Sequence, residues 1–181
     1  MRRGYDFTSR WVVPASVERC WALCEQSLVS GEVPWWPSVR IVPGARAPAV
    51  GDVRHLEVRS PWGYRLRVAL TVTEVRPPHL LAATSTGDLV GIGRLAIAAR
   101  PGSPADGAAL TWIWRVELTR RWMRLAAPVL RPAFVAAHRL VMRRGERGLR
   151  AALAGASEIR NPDNTGVSGR RRRRRRYREA P

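Results

Sequence analysis

The chain has 181 residues, of which 45% are hydrophobic, and its 32 arginines against 14 acidic residues give a formal charge of +18. This length allows one domain with a buried core, and the basic balance favours anionic rather than cationic partners. The sequence contains neither a signal peptide nor an apolar run long enough to cross a membrane, so we expect a cytoplasmic protein.

The first part of the chain predicts a strand followed by a helix. From Tyr5 to Val13, aromatic and apolar residues alternate with polar ones, which is the period of a half-buried strand. Ala15 or Ser16 can then cap a helix, whose apolar residues repeat at helical spacing until Gly31 stops it. The segment from Glu32 to Val39 is rich in proline and tryptophan, and we expect a second short helical turn with its tryptophans packed inward.

Six more strands are predicted in the middle of the chain. Apolar and polar residues alternate there, and glycine and proline residues mark the breaks between the strands. The predicted strands are Arg40–Val42, Asp52–Arg59, Tyr64–Val75, His79–Thr86, Val90–Ala99 and Ala109–Leu118.

A long amphipathic helix is predicted to follow the last strand. Apolar residues recur at spacings of three and four from Leu130 to Leu153, and arginines occupy the opposite face. Pro128 and Pro132 lie near the start of this pattern, so we expect Thr119 to Ala127 to form a separate turn, angled to a main helix that begins at Val129.

These elements together predict an α+β fold. An antiparallel sheet with one apolar face needs a cover, and this helix is the longest element available. We therefore expect a curved seven-stranded antiparallel sheet wrapped around a long C-terminal helix, with two short helices after the first strand. Gly145 and Gly148 would weaken that helix locally but let another backbone or a ligand approach it closely. Such an arrangement readily leaves an apolar cavity between sheet and helix.

Several short segments, together with the order of the elements, carry a resemblance to a known family. They are Trp11–Val13 with Pro14, Ala15, Ser16 and Trp21, then Trp35–Val39, Gly87–Gly93, His138, Val141, Met142 and Gly145–Leu149. These features resemble the polyketide cyclase/START superfamily, also called SRPBCC, which has the helix-grip fold of the birch-pollen allergen group. The resemblance covers about residues 5–153. It implies that a cavity between helix and sheet binds hydrophobic molecules; some members cyclise or dehydrate polyketides, and others only carry or sense a ligand.

We therefore expect the ligand to be a hydrophobic small molecule, either a lipid or a polyketide-like compound. The tryptophans are large enough for a core role to explain most of them, whereas Trp35, Trp36 and Trp62 are also well placed for a cavity mouth. The predicted cavity residues are Trp35, Trp36, Leu66, Val68, Trp112, Trp114, Phe134, His138 and Met142.

His138 is the candidate catalytic residue if the protein is an enzyme of the cyclase or dehydratase type. It lies one helical turn from both Phe134 and Met142, and an imidazole in a cavity can act as acid, base or hydrogen-bond donor near neutral pH. The alternative is a structural histidine that is bonded to a backbone carbonyl. The sequence shows no metal-ligand cluster, dinucleotide-binding loop or phosphate-binding loop, so we expect neither a metal nor a cofactor.

The last predicted unit is an arginine-rich tail. We divide the chain into a ligand-binding domain, 1–155, and a disordered tail, 156–181, because a run of like charges with little to bury cannot fold alone. The tail could bind RNA, DNA or an anionic membrane, or it could be solvated without a dedicated function. The candidate polyanion-binding residues are Arg170, Arg171, Arg172, Arg173, Arg174, Arg175, Arg176 and Arg178.

Overall fold

A computed structural model describes residues 4–100 and 107–158 of the chain. It contains a strand, a helix, six further strands and a long helix, which confirms the predicted α+β fold with seven strands. The elements are β1 (Gly4–Val13), α1 (Val17–Ser30), β2 (Val39–Ile41), β3 (Val53–Arg59), β4 (Arg65–Arg76), β5 (Leu80–Gly87), β6 (Leu89–Ala99), β7 (Ala108–Leu118) and α2 (Arg121–Glu158).

All seven strands form one antiparallel sheet in the order β1-β7-β6-β5-β4-β3-β2. Strands β2 to β7 are neighbours in sequence order, and β1 pairs with β7 along its whole length, from Gly4 opposite Glu117 to Val13 opposite Ala108. This pairing places the alternating aromatic residues of β1 beside the tryptophans of β7. The curved sheet carries α2 against its concave, apolar face, as in a helix-grip fold.

Helix α1 begins and ends where the sequence predicts. The hydroxyl of Ser16 accepts a hydrogen bond from the backbone N–H of Arg19 at 3.3 Å, which caps the first turn. Gly31 adopts a left-handed conformation with φ 74°, and its N–H donates to the carbonyl of Ser27 at 3.0 Å.

The second short helix predicted from Glu32 to Val39 is not helical. Two consecutive turns replace it: Trp36 donates its backbone N–H to the carbonyl of Val33, and Val39 donates its N–H to the carbonyl of Trp36. Pro34 and Pro37 explain the difference, because proline lacks an N–H and disfavours helical geometry in the residue before it. The tryptophans nevertheless pack inward, as predicted.

The separate turn predicted before the long helix is also wrong. Helix α2 runs without interruption from Arg121 to Glu158 and includes Pro128 and Pro132. Met123 and Phe134, which lie on either side of the prolines, are buried in the same cluster of apolar side chains. Packing on both sides therefore holds the helix together across positions where proline removes a backbone hydrogen bond.

Two apolar clusters lie between the sheet and the helices. The tryptophan cluster contains Trp11, Trp35 and Trp36 with Val141 and Leu149 of α2. The tyrosine cluster is smaller and consists of four buried residues with a few half-buried neighbours. Its buried residues are Tyr5, Val116, Met123 and Phe134. The two clusters divide the contacts of α2 between its C-terminal and N-terminal halves.

The arginine run of the tail lies outside the described residues, so its disorder and the division of the chain at residue 155 stay predictions. Neither described helix has a stretch that is both long and apolar enough to cross a membrane.

Candidate ligand-binding cavity

The concave face of the sheet and α2 enclose a cavity of about 230 Å³. Every helix and strand contributes at least one side chain to its wall, and the turns after α1 and β3 contribute others. The described lining residues are mostly apolar or aromatic, and none of them carries a formal charge at neutral pH. A cavity of this kind accommodates a small apolar molecule.

Eight of the nine predicted cavity residues lie around this single space. Val68 is buried in the sheet but is not part of the wall, although its neighbours Leu66 and Leu70 are. Trp62 is 54% exposed and also lies outside the wall. The eight that the structure brings together are Trp35, Trp36, Leu66, Trp112, Trp114, Phe134, His138 and Met142.

Sequence reasoning missed three aromatic residues of the wall: Tyr5, Phe7 and Tyr64. The alternation of β1 places Tyr5 and Phe7 on the same side as Trp11, and β1 pairs with β7 so that Phe7 lies opposite Trp114. The alternation was visible in the sequence, but the pairing of the first strand with the last was not.

Trp35 and Trp36 belong to the core and to the cavity wall at once. Their rings stack with centroids 5.6 Å apart. The indole N–H of Trp35 donates to the Ser27 hydroxyl, and that of Trp36 donates to the carbonyl of Val141 in α2, each at 3.0 Å. These bonds fix both rings. The two roles considered from the sequence, core packing and lining the cavity, therefore apply together to Trp35 and Trp36.

His138 forms the middle of the helical side of the wall. Its ring stacks on that of Phe7, with centroids 4.0 Å apart and planes inclined by 13°. Nε2 is buried and has no hydrogen-bond partner in the described protein, so no backbone carbonyl binds it. Burial lowers the pKa of His138 to about 4, and the imidazole is therefore neutral at pH 7.

Two more buried polar atoms of the wall have no partner. They are the hydroxyl oxygen of Tyr5 and the indole Nε1 of Trp112; among the described residues only Arg54, outside the cavity, has another such atom. Burial raises the pKa of Tyr5, so its hydroxyl stays protonated. Leaving such a group unpaired costs about 1–3 kcal/mol, and native structures rarely do so without a reason.

The charges close to α2 serve its attachment instead of the cavity. The guanidinium of Arg120 makes two hydrogen bonds of 2.7 and 2.6 Å to the carboxylate of Asp88, which also accepts the backbone N–H of Arg67. The bond to Arg120 lowers the pKa of Asp88. The turn between β5 and β6 thereby holds the start of the helix.

The residues that the structure describes include neither a group of metal ligands nor a reactive thiol. No three His, Cys, Asp or Glu side chains gather there in a way that could hold a metal ion. Cys20 and Cys24 are free and buried, as small core residues would be, and burial raises their pKa values to about 11 and about 12. A thiol with so high a pKa is a poor nucleophile at neutral pH.

Solved structures share this arrangement of sheet and helix, and the chain has the same helix-grip fold. No protein-family model matches the sequence, and no curated protein matches it.

Three of the similar structures show the range of the fold. TTHA0849 from Thermus thermophilus is 17% identical with a TM-score of 0.67, over 84% of this chain and 99% of that one. A START superfamily protein from Mycobacterium smegmatis is 14% identical with a TM-score of 0.62, over 83% and 98%. The di-domain ARO/CYC protein StfQ from the steffimycin biosynthetic pathway is 14% identical with a TM-score of 0.60, over 86% and 52%. The chain thus matches about half of StfQ.

Proposed function

We propose that this protein binds a hydrophobic small molecule, a lipid or a polyketide-like compound, in the cavity between the sheet and α2. The observation that carries the proposal is the cavity itself: about 230 Å³ of space, walled by apolar and aromatic side chains from every element, with no formally charged side chain among the described lining residues. Moving an apolar molecule from water into such a space is favourable by roughly 25 cal/mol for each Å² of apolar surface removed from water.

The state of His138 favours binding over catalysis. A general acid or base works best when its pKa is close to the operating pH. With a pKa of about 4, the buried imidazole carries no extra proton to donate at pH 7 and is a weak base. It can still offer a ring nitrogen to a hydrogen bond, which suits a residue that orients a ligand.

Native mass spectrometry of the freshly purified full chain tests this proposal. We expect an additional small mass from an apolar ligand, or uptake of one after incubation with fatty-acid methyl esters and aromatic polyketides. Phe134→Trp should lower the occupancy because the larger ring takes up cavity volume, whereas Trp62→Phe should not, because Trp62 lies outside the wall.

A spectrum that stays empty under both conditions would contradict the proposal. Equal occupancy in Phe134→Trp and in the unchanged protein would place the ligand elsewhere on the molecule. Circular dichroism of each variant separates a loss of binding from a loss of folding.

The second candidate is an enzyme of the cyclase or dehydratase type that uses the same cavity. The unpartnered Nε2 of His138 favours it, and so does the similarity to StfQ, an ARO/CYC protein. If it is right, the full chain converts a poly-β-ketone probe, and His138→Leu loses most of the turnover while it still binds the product. Equal turnover in His138→Leu would remove His138 as the catalytic residue.

The third candidate is binding of a polyanion (RNA, DNA or an anionic membrane) through the tail. The seven consecutive arginines support it, because each contact to a phosphate adds a salt-dependent contribution. A chain that lacks residues 169–181 should elute from heparin at lower salt than the full chain, and unchanged elution would contradict this role. The cytoplasmic location remains a prediction.

A further inference from the structure

We infer that the cavity takes an uncharged, mainly apolar ligand that carries hydrogen-bond acceptor oxygens, and that Tyr5, His138 and Trp112 receive them. This inference rests on the proposed ligand binding and specifies the class of ligand. Its basis is that three of the four buried polar atoms without a partner, among the described residues, belong to side chains of the cavity wall. Each atom is buried and belongs to a side chain of the wall, so a ligand that packs against that side chain can supply the missing partner.

The three side chains are spread along the length of the cavity, two on the sheet and one on α2. On the wall formed by β1 and β7, Tyr5 lies opposite Val116, and Trp112 lies opposite Ser9. Tyr5 and Ser9 are four positions apart along the strand, which corresponds to about 13 Å between their Cα atoms. His138 stacks on Phe7, half-way between them. The groups therefore suit an elongated molecule with oxygens at more than one position.

The chemistry of these groups selects acceptors. The indole N–H of Trp112 can only donate, and the protonated hydroxyl of Tyr5 has a proton available. Neutral His138 carries one N–H and one acceptor nitrogen, so it is compatible with either role. A carbonyl oxygen, which can only accept, matches all three side chains, whereas a pure hydrocarbon would leave them without partners.

The absence of charge from the described part of the wall excludes ions. A carboxylate or ammonium group would lose its hydration in the cavity without gaining an opposite charge, which is strongly unfavourable. The nearby guanidinium of Arg131 packs on the ring of Tyr5 at 5.0 Å and donates to the carbonyl of Gly4, and it is not part of the wall. The cavity should therefore reject the anions of fatty acids.

Isothermal titration calorimetry of the full chain with three probes on one hydrocarbon frame tests this inference: tetralin, α-tetralone and tetralin carboxylate. We expect α-tetralone to bind about three- to tenfold more tightly than tetralin, the effect of one added hydrogen bond. The carboxylate should bind at least tenfold more weakly than tetralin at pH 7.5.

Variants identify the groups involved. Tyr5→Phe and His138→Leu each remove a polar atom and keep an apolar side chain, and at least one of them should bring the affinity for α-tetralone down to that for tetralin. Trp62→Phe, outside the wall, is the matched control and should change neither affinity.

The outcomes separate this inference from the proposed function. If tetralin and α-tetralone bind equally well, or if the carboxylate binds best, the inference is overturned while the cavity remains a binding site. If α-tetralone keeps its advantage in both variants and in Trp112→Phe, these side chains do not receive the oxygen. If none of the three probes binds, the proposed function itself loses support.

Discussion

The two halves of α2 are held in different ways. In the C-terminal half, Val141, Gly145, Leu149 and Leu153 form a continuous buried row against the tryptophan cluster. The N-terminal half buries Met123 and Phe134 in the smaller tyrosine cluster.

That N-terminal half exposes two large apolar side chains among the residues that the structure describes. Leu125 is 82% exposed and Val129 is 80% exposed, whereas the outer surface of the C-terminal half is rich in arginine. One helix therefore has a densely packed C-terminal half and an N-terminal half whose described side chains include exposed apolar residues.

The different packing of the two halves of α2 explains how the fold combines a firmly held helix with a cavity. Two glycines allow the densely packed half to approach its neighbours: a Cβ atom at Gly145 would come within 2.8 Å of the rings of Trp36 and Trp11, and one at Gly148 would overlap the carbonyl of Trp35. The resulting contact anchors the helix at one end. The cavity can then persist along the rest of the helix without the helix leaving the sheet.

The largest expected effect comes from breaking the densely packed contact. Gly148→Ala should destabilise the protein by about 4 kcal/mol or more, because its methyl group would collide with a backbone oxygen that cannot move alone. Gly155→Ala is the matched control: no atom lies within 4 Å of the new Cβ, so we expect a stabilisation of up to about 1 kcal/mol from helix propensity. Urea denaturation measures both, and equal stability of the two variants would contradict the close approach.

The next prediction compares a leucine-to-alanine substitution in each half of α2. Leu149→Ala should cost about 2–5 kcal/mol, because Leu149 is fully buried and its loss leaves a cavity in the tryptophan cluster. Leu125→Ala should change the free energy of unfolding by less than about 0.5 kcal/mol, because Leu125 is exposed. Denaturation midpoints at constant m value test the pair, and a comparable loss in Leu125→Ala would mean that the N-terminal half packs as tightly.

A smaller effect is the pH dependence of stability that comes from His138, in the middle of α2. The pKa of His138 is about 4 in the folded protein against 6.5 for an ordinary histidine, so below pH 6.5 the unfolded chain binds a proton that the folded chain refuses. Stability should therefore fall by about 2 kcal/mol between pH 7 and pH 5, and the part of the loss that comes from His138 should level off near pH 4.

Two variants test this assignment. His138→Leu should remove most of the slope between pH 6.5 and pH 5, and His55→Gln, a change at an exposed histidine, should preserve it. The carboxyl groups with lowered pKa values are those of Glu18, Asp52, Glu57 and Asp88. Because their ordinary pKa values are 4.5 or 3.8, they lose their contribution to stability mainly below pH 5. An unchanged slope in His138→Leu would show that the histidine is already solvated.

Most of the architecture could be predicted from the sequence, because its signals are local and periodic. Alternation with a period of two marked the strands, and spacings of three and four marked the buried face of α2. The two errors both concern proline. In the segment around Trp35 and Trp36 its local restriction prevented a helix, whereas at Pro128 and Pro132 packing on either side overrode the same restriction.

The site was less predictable, because it depends on pairing and burial instead of periodicity. Which strand would lie beside β1 decided that Tyr5 and Phe7 join the wall, and a single sequence does not contain that information. The neutrality of His138 follows from its stacking on Phe7 and its burial, which are also consequences of the whole fold. The wall residues predicted on β7 and α2, such as Trp112, Trp114 and Phe134, could be found because the periodic pattern identifies the buried face of each element.

The most direct test of ligand binding uses the methionines of the chain. There are three, and two of them, Met123 and Met142, line opposite halves of the cavity along α2. In a full chain with ¹³C-labelled methionine methyl groups, titration with α-tetralone should shift the signal of Met123, Met142 or both and leave that of Met1 in place, with Met142→Leu providing the assignment. If calorimetry shows binding while the signals of Met123 and Met142 stay unchanged, the ligand lies outside the cavity, and the proposed binding between the sheet and α2 is wrong.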